Sequence, residues 1–308
     1  MGRIAEALKR AQQEREHRLR TGAPAWPESA AGGSQTGDSR IGRGGTPAAS
    51  TREPLAESFV KIPPLRKPFS VTAKPLGKEC VDPRILAFHD PSCAIAEKYR
   101  SVRTRLLTNN PSGSARIHAV TSTLRQEGRT VTVANLAFSL AELRHLRVAM
   151  IDLDFRQRGL TRMLQCENRP GAADVLRCEK RLADVCIPVA RENLHLIPAG
   201  HLGEAGPNDL LAGDPVSELF REIGERYHYA LVDTPPVHTC ADIGLIGPLC
   251  HSVLVVIRMN RTPEPLLLRS VKMLQANHMV IAGCILAGVN NEAMSLNDGQ
   301  ELCPGGLH

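Results

Sequence analysis

The sequence predicts an α/β fold, a mostly parallel sheet with helices on both faces. The chain is 42% hydrophobic but only 3% aromatic, a composition that suits a core of Val, Ile, Leu and Ala side chains. Six short apolar strand candidates alternate with helical stretches, which is typical of βαβ units. The strand candidates are residues 117–121, 147–152, 193–198, 229–233, 253–258 and 281–290.

The first 78 residues lack this alternating pattern. Residues 1–20 predict a short amphipathic helix with Ile4, Leu8 and Ala11 on one face. Residues 21–78 are rich in Gly, Pro, Ser, Ala and Arg and predict a disordered linker. The charged N-terminus has no signal-peptide core, and no apolar run is long enough to span a bilayer. We therefore expect a cytoplasmic protein without a transmembrane segment.

The net charge and the cysteine spacing give no support for a nucleic-acid partner or for a structural zinc site. The net charge is +6, which is too weakly basic to indicate a nucleic-acid partner but is compatible with an anionic surface. The nine cysteines are scattered without a Cys-x-x-Cys pair, so no structural zinc site is predicted.

The folded domain is predicted over residues 79–291, and a helix is predicted at 92–107. Glu97, Arg100 and Arg103 recur at intervals of three and therefore lie along one face of this helix. The residues alone leave two interpretations open, a solvated charged face and a contact surface. Residues 292–308 are polar and predict a loose tail.

The loop after the first core strand carries the first chemical signal. The residues from Thr121 to Thr130 read Thr-Ser-Thr-Leu-Arg-Gln-Glu-Gly-Arg-Thr, and a helix-like run follows at Val131. This order is typical of a P-loop, whose backbone N–H groups surround phosphate oxygens. Gly128 and Thr130 fit such a loop, but Arg129 stands where a lysine would contact the β- and γ-phosphates.

Two further strand candidates end in carboxylates. Asp152 and Asp154 follow one strand on alternate residues and share one face, and Asp233 leads into a stiff Pro-Pro turn. Alone, a strand-terminal aspartate is more often a helix cap or a turn former. Ligands of parallel sheets bind at the carboxyl ends of strands, so the three loops together predict a site for magnesium and a phosphoryl group.

These motifs together resemble the bacterial tyrosine kinases of capsular and exopolysaccharide biosynthesis, in the MinD/ParA-like branch of P-loop NTPases. The family pattern is roughly Thr-Ser-x-x-Pro-Gly-Glu-Gly-Lys-[Ser/Thr], then Ile-Asp-x-Asp-x-Arg, then Asp-Thr-Pro-Pro with a later Asp. The resemblance covers roughly residues 85–290. The matching positions are Thr121, Ser122, Glu127, Gly128, Thr130, Asp152, Asp154, Arg156, Asp233, Thr234, Pro235, Pro236 and Asp242.

The resemblance implies ATP and Mg²⁺ as cofactors and assigns roles to the matching residues. It implies that Asp154 orients the attacking hydroxyl. The implied catalytic residues are Asp152, Asp154 and Arg129. The implied metal ligands are Thr130, Asp152 and Asp233. The implied nucleotide contacts are Glu127, Gly128, Arg129, Thr130 and Val131.

The resemblance also implies partners. Glu97-x-x-Arg100-x-x-Arg103 is similar to the oligomerisation motif of the family, which implies a homo-oligomer. The implied partner is a membrane polysaccharide co-polymerase or export protein, which would recruit the domain to the inner face of the membrane.

The chain departs from the family pattern at three points. Arginine is bulkier and planar, so Arg129 is not a conservative replacement for lysine, and a lost charged hydrogen bond costs about 1.5–3 kcal/mol. Gln126 stands where glycine is usual, and at a positive φ it adds about 1–2 kcal/mol of strain. The family usually autophosphorylates a C-terminal tyrosine cluster, but residues 292–308 contain no tyrosine.

Three functions remain open. The first is an ATP-dependent protein-tyrosine kinase, and the second is a pseudokinase scaffold with the same fold and partners. The loop chemistry favours impaired catalysis, whereas the retained carboxylates favour a site that still binds nucleotide. We predict that Arg129→Lys strengthens ATP binding; weaker binding would mean a loop remodelled around the arginine. The third, a ParA/MinD-type positioning ATPase, requires a second lysine where this chain has Leu124.

Overall fold

Seven strands form one sheet in the computed structural model, which describes residues 71–204 and 206–289. The strands are β1 (Arg116–Ser122), β2 (Val148–Asp152), β3 (Ile187–Val189), β4 (Arg191–Ile197), β5 (Tyr229–Asp233), β6 (Ser252–Arg258) and β7 (Ile281–Ala287). Their order across the sheet is β3-β4-β2-β5-β1-β6-β7. Only the β3–β4 pair within this sheet is antiparallel, so the predicted mostly parallel sheet is confirmed.

Helices connect the strands, and short 3₁₀ turns lie at Lys78–Cys80 and Gly247–Leu249. The α-helices before β4 are α1 (Leu86–His89), α2 (Ala94–Thr108), α3 (Arg129–Ala141), α4 (Gly159–Met163), α5 (Ala172–Leu176) and α6 (Leu182–Val185). Those after β4 are α7 (Pro207–Leu211), α8 (Asp214–Arg226), α9 (Asp242–Ile246) and α10 (Glu264–Ala276).

Both faces of the central strands β2 and β5 are covered, whereas alternate residues of the edge strand β7 are exposed. Successive side chains of a strand point to opposite faces; accordingly, Val148 and Met150 of β2 pack in one apolar cluster, whereas Ala149 and Ile151 pack in another. Helix α3 supplies the first cluster with a nearly continuous run of buried residues, and α8 contributes to the second. A strand covered on both faces has no exposed side, which explains why these strands read as uninterrupted apolar runs.

The strand order brings the three predicted motifs together. Because β5 lies between β2 and β1, Asp233 pairs in register with Asp152 on one side and with Val120 on the other. The loop that follows β1 therefore begins beside both acidic strand ends.

Most predicted elements match closely. Helix α2 begins at Ala94, where the Cys93 sulfur accepts a hydrogen bond from Ala96 N at 3.4 Å. The last strand ends at Ala287, short of the predicted residue 290, because Gly288 follows with φ +72°. The sequence did not predict β3, a three-residue strand that contains Pro188.

The predicted linker extends too far toward the domain. Leu76 is buried in the core, and its N–H donates to Pro188 O at 2.9 Å. Leu76 pairs alongside the short edge strand β3 and therefore belongs to the folded domain, so residues 71–78 are not free linker. The predictions for residues 1–20, for the rest of the linker and for residues 292–308 lie outside the described residues. Within the described ranges, no helix combines the length and the apolar character needed to span a bilayer.

Candidate functional site

The loop after β1 has the backbone form of a phosphate-binding loop. Gly128 adopts φ +98°, a left-handed conformation that favours glycine, and α3 starts at the next residue, Arg129. The first N–H groups of a helix have no partners within it and attract anions. The backbone N–H groups between Gly128 and Val131 are therefore the groups that could donate to phosphate oxygens.

Glu127 and Gln126 shape this loop. The buried carboxylate of Glu127 accepts hydrogen bonds from Leu124 N at 2.9 Å and from the Thr262 hydroxyl at 2.5 Å. These bonds fix the conformation of the loop. Both oxygens of the Glu127 carboxylate therefore face protein groups. Gln126 has φ +61°, so the backbone position where strain was anticipated is indeed left-handed.

Arg129 points into the protein. Its side chain is buried, and Nη2 donates to Asp154 Oδ2 at 3.1 Å while Nη1 donates to the backbone oxygen of Thr234. The planar guanidinium of arginine holds its donors in a fixed fork and can bond to two acceptors at once. The ammonium of lysine is a single point charge and bridges two such acceptors less well. The structure thus brings Arg129 to the predicted hydroxyl-orienting acid.

The remaining predicted residues converge around the strand ends. The Thr130 hydroxyl donates to Asp233 Oδ2 at 2.7 Å. Asp152 Oδ2 accepts from the backbone N–H of Thr161 at 2.9 Å and from its hydroxyl at 2.8 Å. The second oxygens, Asp152 Oδ1 and Asp233 Oδ1, are buried without a hydrogen-bond partner.

Burial dominates the electrostatics of these two carboxyl groups. Desolvation raises the pKa of Asp152 to about 6, although hydrogen bonds from Thr161 oppose the rise. Desolvation also raises the pKa of Asp233 to about 7, opposed by the charge of Arg129 and reinforced by that of Asp152. A positive charge placed between the two acids would relieve both penalties.

The unpartnered oxygens fit a magnesium ion. Buried polar atoms normally have partners, so two orphaned carboxylate oxygens beside a hydroxyl are consistent with a cation site formed by Thr130, Asp152 and Asp233. Among the residues that the structure describes, no cluster of three or more His, Cys, Asp or Glu side chains could hold a metal by itself. Magnesium commonly completes its coordination with phosphate oxygens and water.

Gly159 borders the site, although no sequence motif predicts it there. A Cβ atom at this position would lie 2.6 Å from the Thr130 hydroxyl, closer than real Cβ atoms come. The start of α4 therefore contacts the P-loop threonine directly, and only glycine permits that approach.

A cleft of about 680 Å³ opens at the loop, and five arginines line it. Of these five arginines, the sequence motif predicts only Arg129 as a ligand contact. The others come from separate elements, so no sequence spacing connects them. They are Arg84, Arg125, Arg162 and Arg258.

Arg156 and Asp242 also match the family pattern. They form an ion pair in addition to that of Arg129 and Asp154. Arg156 Nη2 lies 3.6 Å from Asp242 Oδ1, and the carboxylate is fully buried at the start of α9. The pair ties the loop after β2 to the segment after β5.

The charged face of α2 contacts α3. Arg100 donates to both oxygens of Glu142, at 2.9 and 2.8 Å, and Arg103 Nη1 donates to Glu142 Oε2 at 2.6 Å. Burial raises the pKa of Glu142, but the hydrogen bonds from the two arginines outweigh burial and hold it below its usual value. Glu97 also accepts from Arg100, at 3.0 Å, but its side chain is 66% exposed. Within one chain, the arginines therefore attach α2 to the end of α3.

The chain is similar in sequence to a tyrosine-protein kinase and to a succinoglycan biosynthesis transport protein. Over 215 residues the chain is 28% identical to the tyrosine-protein kinase Wzc of Salmonella typhi, a match that covers 70% of this chain and 30% of that protein. It is 28% identical over 178 residues to the succinoglycan biosynthesis transport protein ExoP of Rhizobium meliloti, covering 57% of this chain and 22% of that protein. The matched segments thus span less than a third of these two relatives.

Solved structures agree. The tyrosine kinase domain of BceF superposes with a TM-score of 0.60 at 26% identity, covering 73% of this chain and 95% of that domain. The resemblance to the bacterial tyrosine kinases is confirmed. The kinase domain of the Escherichia coli tyrosine kinase Etk has the same fold, with a TM-score of 0.64 at 22% identity, covering 78% of this chain and 95% of that domain. No protein-family model matches the chain.

Proposed function

We propose that the chain is a nucleotide-binding protein of the bacterial tyrosine kinase type with impaired phosphoryl transfer, acting in exopolysaccharide or capsule assembly or export. The biological role comes from its relatives, which include a tyrosine kinase and a succinoglycan transport protein. The proposal that nucleotide binds and that phosphoryl transfer is impaired is based on the contacts within the site.

The contact between Arg129 and Asp154 carries the proposal of impaired catalysis. A phosphoryl-transfer site needs a carboxylate free to accept or orient the proton of the attacking hydroxyl. Here Asp154 Oδ2 is bonded to Arg129, and Asp154 Oδ1 accepts from Gln157 N at 3.0 Å. The same contact holds Arg129, which stands at the position of the P-loop lysine, away from the place where phosphates would bind. One ion pair therefore weakens two requirements of the reaction.

Nucleotide binding depends on groups that the ion pair leaves free. The backbone N–H groups around Gly128 and Val131 would hold the phosphates, and Thr130 and Asp233 would hold magnesium. When bound, the metal would neutralise charge on the phosphate oxygens. The arginine-lined cleft would receive the rest of the anion.

Calorimetric titration with ATP and ADP in the presence of magnesium tests the proposal. Micromolar binding together with little transfer of labelled γ-phosphate to tyrosine-containing polymers is the expected result. Arg129→Lys should raise the affinity for ATP, because an ammonium on a flexible stem can leave Asp154 for the phosphates. Asp154→Asn is the matched variant, since it removes the carboxylate partner of Arg129 but adds no lysine. Rapid phosphorylation by the wild-type chain would refute impaired catalysis.

A pseudokinase scaffold is the second candidate. The observation that favours it is the same occupied Asp154, combined with an intact fold. It would act as a homo-oligomer bound to a membrane polysaccharide co-polymerase or export protein, which would recruit it to the inner face of the membrane. Absence of binding at millimolar nucleotide, together with association of the purified chain with such a partner, would favour this candidate.

A further inference from the structure

Three of the five cleft arginines have no acidic partner among the described residues. Arg84 is bonded to Asp82 through two hydrogen bonds, at 2.9 and 2.8 Å, and Arg129 is bonded to Asp154. The three arginines without such a partner are exposed and line the cleft; they are Arg125, Arg162 and Arg258.

Arg258 is linked to the phosphate loop by a short hydrogen-bond chain. Its backbone N–H donates to the Thr262 hydroxyl at 3.0 Å, and that hydroxyl donates to Glu127 at 2.5 Å. A second bond, from Arg261 Nη2 to Gln126 Oε1 at 2.9 Å, joins the same two segments. The end of β6 and the loop that carries Arg125 therefore form one wall of the cleft.

Arg162 lines the same cleft from a different element, α4. It follows Gly159 by three residues on α4, so both residues share a helix face. Gly159 abuts Thr130 so closely that no Cβ fits between them. This face of α4 therefore borders the phosphate loop, and Arg162 lines the cleft beside it.

We propose that the cleft binds nucleoside di- and triphosphates as free anions, with Arg125, Arg162 and Arg258 supplying the positive charge that magnesium supplies at other phosphate sites. A nucleotide without its metal carries two more negative charges than its magnesium complex. Guanidinium groups stay charged at all relevant pH values and pair with phosphate through two parallel hydrogen bonds. Thr130, Asp152 and Asp233 still accommodate the ion, but affinity depends little on it. The inference rests on the proposed function.

Calorimetric titration of the full chain with ADP tests the inference, once with magnesium and once with EDTA. The expected dissociation constants differ by less than about threefold, because the arginines already balance the phosphate charge. Arg162→Gln and Arg258→Gln should each weaken metal-free binding about tenfold or more, the usual effect of losing a charged hydrogen bond. Both variants should weaken binding less when magnesium is present.

Arg181→Gln is the matched control, because Arg181 is an exposed arginine that does not line the cleft; it should leave both affinities unchanged. Binding that requires magnesium would overturn the inference while leaving the proposed nucleotide-binding function intact. Unchanged metal-free affinity in both cleft variants would also overturn it. Absence of binding under both conditions would overturn the inference and nucleotide binding together.

Discussion

Replacing Arg129 by methionine should destabilise the nucleotide-free domain strongly. The guanidinium is the charged partner of Asp154 at 3.1 Å and also bonds to the backbone oxygen of Thr234. Methionine preserves much of the side-chain volume but removes every donor. Asp154 would remain buried with only its bond from Gln157 N.

The magnitude follows from the burial of both partners. The Arg129 and Asp154 side chains are only 7% and 2% exposed, so solvent screens the pair weakly. Breaking a buried ion pair by removing one partner typically costs about 3–5 kcal/mol. Because the pair borders the cleft, water can reach part of it after the change, and we expect about 3 kcal/mol. Arg129→Lys keeps the charge but loses the fork, so about 1 kcal/mol is expected.

Urea unfolding followed by circular dichroism measures these changes without nucleotide, so that binding does not contribute to stability. The double variant Arg129→Met with Asp154→Asn should cost at least about 1 kcal/mol less than the sum of the two single changes. The exposed pair of Arg181 and Asp184 provides the control, and Arg181→Met should cause no measurable change. A loss below about 1 kcal/mol for Arg129→Met, or strict additivity in the double variant, would refute a stabilising buried pair.

Three further changes test the site and its support. The folded-state pKa of Asp233 is raised above its unfolded value, so the stability associated with the protonated acid is lost as pH rises from about 4 through about 7. Asp233→Asn should therefore stabilise the domain at pH 8, by on the order of 4 kcal/mol, but hardly at pH 4. Equal pH slopes in thermal melts of both proteins would contradict this. Gln126→Gly should stabilise the domain by about 0.5–1 kcal/mol, because it relieves the strain of a left-handed backbone at φ +61°. Gln157 does not have a positive φ, so Gln157→Gly should not stabilise the domain. Glu142→Gln should cost about 1–2 kcal/mol at pH 7 by weakening the contacts of two arginines. Because the folded-state pKa of Glu142 is lowered, the difference in stability should be complete above the unfolded pKa and should disappear in melts as pH falls through the folded-state pKa.

Local signals in the sequence were sufficient for the sheet and for the positions of its functional loops. Strand β5 is predicted at the residues where it occurs, because a fully buried parallel strand reads as a short apolar run. The P-loop form, including the left-handed Gly128 and the helix that starts after it, also follows from adjacent residues. Strand β3 gave no comparable signal, since three residues that include a proline show no periodicity.

The sequence by itself determined the fold class and placed Gly128, Thr130, Asp152 and Asp233 at one edge of the sheet, because each depends on a short segment and on parallel strand direction. Only the tertiary structure decided where Arg129 points, that Glu142 receives the arginines of α2, and that separate elements line one cleft with arginine. Asp154 and Thr234 are 25 and 105 positions away from Arg129 along the chain. Such contacts depend on strand order and loop path, and neither periodicity nor motif spacing encodes these.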